Sequence, residues 1–138
     1  MKKTIFYTVF FASVMMLGCK ETGYKRIDMA QVHQLEDSIP HLIPGVSTIH
    51  TIQDDDYTKV RVIIGDVSFY SASPDVKQQA ANKVAITLLR ILGPDNNISK
   101  GTLVITKNIR DNIDNPPDGI NIEMNFDSLK KIVYPQAK

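Results

Sequence analysis

Only one cysteine, Cys19, occurs in 138 residues, so no disulfide can form within the chain and the folded state must rest on packing alone. Clusters of one charge are also missing. The 16 Lys and Arg residues and 15 Asp and Glu residues are interspersed, which excludes an acidic disordered tail and the concentrated basic surface that nucleic acids need. No low-complexity tract or internal linker divides the chain, so a single domain is expected. The most apolar run, residues 5–17, is thirteen residues long and falls short of the roughly 18 needed to span a bilayer.

What surrounds that run gives it a meaning. Met1, Lys2 and Lys3 form a short basic start, the apolar run follows, and Met16-Leu17-Gly18-Cys19 closes the segment; this is the order of a secretory signal. The last four residues resemble the lipobox of bacterial lipoproteins, with small Gly18 before the cysteine and Met16 where the family usually has Leu. The resemblance covers residues 1–19. It implies removal of residues 1–18, lipidation of Cys19 as the first mature residue, and a tether over 19–26 leading into a domain at 27–138. It also accounts for the solitary thiol. Each buried methylene contributes about 0.8 kcal/mol, so the several acyl chains this family carries anchor stably where one chain is marginal. Lys20, not Asp, follows the cysteine, which by the same resemblance implies the outer rather than the inner membrane. Fully extended at about 3.5 Å per residue, residues 20–26 reach about 25 Å, holding the domain close to the bilayer. Without Lys2 and Lys3 the mature balance is 14 basic to 15 acidic residues, which selects no particular partner.

Apolar spacing predicts the elements. Met29, Val32, Leu35 and Ile39 form one stripe of a helix over 28–39, with Pro40 and Pro44-Gly45 as its stop. Strands are expected over 46–53 and 57–65, joined by a hairpin turn at Asp54, Asp55 and Asp56. The clearest helix runs over 74–92, with Ser73 as N-cap, Pro74 at the first position, and Gly93-Pro94 as the stop. Its apolar arc, from Val76 through Leu92, is broad enough to touch two other elements, while Ile86 falls among Gln78, Asn82 and Lys83 and is expected to face solvent. Two more strands, 101–107 and 120–126, follow; the second alternates Ile120, Ile122 and Met124 inward with Asn121 and Glu123 outward. Asp127 or Ser128 then caps a short helix carrying Leu129, Ile132 and Val133. The order α-ββ-α-ββ-α predicts an α+β two-layer sandwich, an antiparallel sheet with helices on one face and the other face open to water.

The residues that do chemistry do not assemble into a motif. Asp54, Asp55 and Asp56 lack a glycine-bearing calcium loop, and Asp111, Asp114 and Asp118 lack the spacing of one. His33, His41 and His50 lack the short paired spacings of zinc sites. There is no G-x-S-x-G elbow and no glycine-rich phosphate loop, so neither metal nor cofactor is expected. Tyr57, Lys59, Arg61, Phe69 and Tyr70 suggest an aromatic-basic surface near one hairpin, although aromatic residues in strands usually pack inward.

What remains is outward-facing side chains: Ile86, Asn121 and Glu123 are the candidate partner contacts, with Ile63 and Val104 as further apolar residues on polar strand faces. The expected function is a non-catalytic binding or accessory module, anchored through Cys19 in the bacterial envelope and acting on an envelope protein. The alternatives are a small hydrolase whose site, His41 or His50 with loop aspartates, assembles only in the fold, and an inhibitor or immunity-type protein.

Overall fold

A computed structural model describes residues 23, 25–65, 67–107 and 113–136. Cys19, Lys20 and the signal segment lie outside the described residues, as does Asp111. Helix α1 (Met29–Leu42) starts on a capping box in which the Asp28 carboxylate accepts from Gln31 N–H at 2.8 Å and the Gln31 side chain accepts from Asp28 N–H at 3.1 Å. Pro40 lies inside the last turn instead of ending the helix, since few intrahelical bonds remain there for it to break. Strands β1 (Thr48–Gln53) and β2 (Lys59–Gly65) form the expected antiparallel hairpin. A four-residue helix, α2 (Val67–Tyr70), leads to α3 (Pro74–Leu92), whose Ser73 cap, Pro74 start and Gly93 stop match the sequence reading; Gly93 adopts φ 79°, a conformation that favours glycine. Strand β3 (Lys100–Thr106), strand β4 (Ile120–Met124) and helix α4 (Phe126–Val133) complete the chain. The cap of α4 is Asn125, whose side chain accepts from Ser128 N–H, not Asp127 or Ser128.

The class is α+β, with helices packed on a four-stranded sheet of order β1-β2-β3-β4. The sheet is mixed, not wholly antiparallel, because β2 and β3 pair in parallel. The reason lies between them. A 19-residue helix rises about 28 Å, enough to carry the chain back along the sheet so that β3 starts beside the start of β2. The two hairpins remain antiparallel, and α3 is the crossover that joins them.

One face of the sheet holds the main core. Val60, Val62, Ile64, Leu103 and Ile105 meet Leu35 and Ile39 of α1, Val84, Leu88 and Leu89 of α3, and Phe126 and Leu129 of α4. Both α1 and α4 pack on α3, so its broad apolar arc serves both neighbours and the sheet. The Tyr134 hydroxyl donates to the Leu89 carbonyl and ties the end of α4 to α3. Ile86 is half-buried against this core and does not stand free in solvent, because the polar stripe around it is narrower than the wheel suggests.

The opposite face is only partly open. Ile63 and Val104, expected to be exposed, are sealed in a second small cluster with Ile52. Residues 113–119 lie against this part of the sheet: Pro116 is buried, and a Cβ at Gly119 would sit 2.9 Å from Val104 Cγ1. Arg61 donates to the Asp114 carbonyl and His50 Nε2 lies 3.7 Å from the Asp114 carboxylate, so the segment is held at its outer side as well.

Candidate functional site

Alternation along the strands decides what the uncovered half of that face presents. With Val60 and Val62 in the main core, Lys59 and Arg61 point the other way, and the parallel register sets Lys59 beside Lys100 and Arg61 beside Thr102. Thr102 in turn faces Glu123 across the β3–β4 pair. The result is a groove of about 470 Å³ with a mixed lining, in which Asp54, Lys59, Arg61, Lys100, Glu123 and Asp127 stand beside Val60 and Met124. Two lysines side by side on neighbouring strands repel one another. Lys59 is offset by Asp54 at 3.7 Å and Asp56 at 3.8 Å, whereas among the described residues no carboxylate pairs with Lys100 or Arg61. The lining thus carries three cations and three carboxylates, and Lys100 and Arg61 are the two cations without a carboxylate partner among the described residues.

The acidic triplet is a structural turn. Tyr57 takes φ 57° to close it, Asp54 N–H donates to the Lys59 carbonyl, and the Asp56 carboxylate accepts from Thr58 N–H and hydroxyl. Those Thr58 bonds, with Lys59 adding a smaller share, hold the Asp56 carboxyl below the ordinary aspartate value. Among the described residues no three His, Cys, Asp or Glu side chains gather as metal ligands would. The described residues also contain no helix long and apolar enough to cross a membrane.

Of the sequence candidates, Glu123 lines the groove and Asn121 lies exposed two residues away on the same strand. Ile86 belongs to the helical layer and is not brought to them. The aromatic-basic set is split: Tyr57 lies in the β1–β2 turn, while Phe69 and Tyr70 lie on α2 beyond the far end of β2. His33 and His41 lie exposed on α1, away from the sheet face, and among the described residues only His50 meets a loop aspartate. The chain was compared with known proteins, and it matches no family model, no curated protein and no solved structure. Function must therefore be read from the site itself. Lys59 and Arg61 belong to the aromatic-basic set that the sequence suggests, whereas Lys100 does not, because its place beside Lys59 depends on the parallel β2–β3 pairing.

The far end of the same sheet face is fastened by Asp118. Its carboxylate accepts from the Thr106 hydroxyl at 2.5 Å and from Lys107 N–H at 3.0 Å. The Thr106 bond, then the Lys107 amide, lower its pKa below the usual aspartate value. The folded carboxyl ionises more readily than the unfolded one, so its contribution is complete above the unfolded value and is lost as pH falls through the lower, folded value. The protection factor of the Lys107 amide should fall as the Asp118 carboxylate is protonated in acid, and Asp118→Asn should abolish that acid-dependent step. An unchanged pH profile in Asp118→Asn would show that this contact does not hold the loop.

Proposed function

We propose that the protein is a lipid-anchored module of the bacterial envelope, non-catalytic, that binds an acidic segment of a neighbouring envelope protein in the sheet-face groove. The support is the path of the chain into the fold. The Gly23 carbonyl accepts from Asn97 Nδ2 at 2.9 Å, and Asn97 lies three residues before Lys100 at the groove. Ile27 N–H donates to Gln53 Oε1 at 2.8 Å, beside Asp54 on the same groove. Gly23 and Ile27 thus lie at the groove end of the domain, where a tether over 19–26 would enter. Cys19 precedes Gly23 by four residues, about 14 Å when extended, so lipidation there keeps the groove next to the bilayer. Such confinement raises the effective concentration of a membrane-bound partner, and weak intrinsic affinity then suffices.

Photo-crosslinking in cells from Glu123 or Asn121 should trap a defined envelope protein, and from Ile86 should not. Lys100→Glu reverses one groove charge and should weaken capture at least about tenfold, equivalent to about 1.4 kcal/mol. Capture that is unaffected by Lys100→Glu would contradict the groove as the binding surface. A second reading, the small hydrolase, is favoured by one observation, the His50–Asp114 approach of 3.7 Å. Loss of function in a folded His50→Ala variant, with crosslinking from Glu123 absent, would select that reading instead.

A further inference from the structure

At the end of the domain opposite the tether, beyond the carboxyl ends of the parallel strands β2 and β3, two lysines share one aromatic ring. Lys77 Nζ lies 5.7 Å from the centre of the Tyr70 ring and Lys107 Nζ lies 4.8 Å from it. Lys77 is unusual for a lysine in being only 8% exposed. Burying a cation without a counter-charge is costly, and among the described residues no carboxylate forms an ion pair with it. The ring supplies part of the compensation, since a cation over an aromatic face gains about 0.5–2 kcal/mol. It does not remove the repulsion between two ammonium groups that both lie within 6 Å of its centre. Asp118 lies near Lys107 but spends its oxygens on the Thr106 hydroxyl and the Lys107 N–H, and so offsets only Lys107. The 8% of the Lys77 surface that stays exposed is the part through which a ligand can meet it.

Lys77 also sits in the first turn of α3, whose N-terminus carries the positive end of the helix dipole. Its stem is fixed by burial, Lys107 leaves the end of β3, and Tyr70 is held on α2 within 6 Å of both ammonium groups. Crevices beyond the carboxyl ends of parallel strands, next to a helix N-terminus, are where open α/β sheets hold anionic ligands. We propose that Lys77, Lys107 and Tyr70 form a binding site for a phosphoryl group, presented away from the membrane-facing groove. A phosphate monoester carries about −1.5 to −2 charges at neutral pH, which suits two ammonium groups, whereas a carboxylate leaves one of them unmatched.

Titration of the full chain in detergent with inorganic phosphate, followed by amide chemical shifts, tests this. Saturable shifts are expected at Tyr70, Lys77 and Lys107 with a Kd on the order of 1 mM. Lys107→Gln changes an exposed side chain and should weaken phosphate binding at least about tenfold without unfolding the domain; Lys77→Met serves as a second variant if it folds. Matched additions of sodium chloride and sodium acetate should produce no saturating shift at these three residues. Shifts reproduced by chloride, equal affinity for acetate, no saturation with phosphate, or unchanged phosphate binding in Lys107→Gln would each overturn the assignment.

Discussion

Phe126→Ala is expected to cost about 3–5 kcal/mol, the largest loss from any single side chain in this domain. The ring is 1% exposed and opens α4, where it meets the sheet over β3. Gly101 makes room for it. A Cβ at that position would come 2.2 Å from Phe126 Cε2 and 2.8 Å from Met124 Cε, so Gly101→Ala should by itself cost about 1–3 kcal/mol through overpacking. The two sites are therefore coupled. Once the ring is gone, the added methyl has space, and Gly101→Ala in the Phe126→Ala background should cost less than in the parent by more than about 0.5 kcal/mol. Urea unfolding of the four proteins, read as midpoints at a common slope, measures this coupling. Strict additivity would show that the ring does not rest on Gly101.

Local signals carried much of this fold. Ser73, Pro74 and Gly93 mark α3 because capping, fixed φ and a left-handed stop are each decided by one residue. The alternation of Ile120, Ile122 and Met124 with Asn121 and Glu123 likewise survives in β4. What the sequence did not reveal depends on long-range pairing. Two hairpins are visible as patterns, but the parallel union of β2 with β3 follows from α3 acting as a crossover. The same union places Lys59 beside Lys100 and so brings Lys100 into the groove. Ile63 and Val104 read as exposed because their strand neighbours Arg61 and Thr102 are polar, and the loop segment around Pro116 that covers them carries no apolar periodicity. Lys77 offers no sequence sign of burial at all, since its cover comes from tertiary packing around Tyr70.

Cys19→Ser is expected to have the largest effect on location. On the proposed lipoprotein reading, several acyl chains at about 0.8 kcal/mol per buried methylene give stable anchoring, and Cys19→Ser removes the acceptor sulfur on which they depend. Nothing in the described domain replaces that anchor as a spanning helix. Residues 19–138, the mature chain under the proposed processing, balance 14 basic against 15 acidic residues and give no net electrostatic attraction to anionic lipid in compensation. The variant should move from the membrane to the soluble fraction with its domain still folded, and crosslinking from Glu123 should fall with it, because the effective concentration of the partner is lost.

Incorporation of labelled palmitate, measured alongside membrane fractionation for the parent chain and for Cys19→Ser, tests the anchored-module account most directly. The account predicts label and membrane association in the parent and neither in Cys19→Ser. A parent chain without label, or a Cys19→Ser chain that carries as much label and still sediments with membranes, would contradict it.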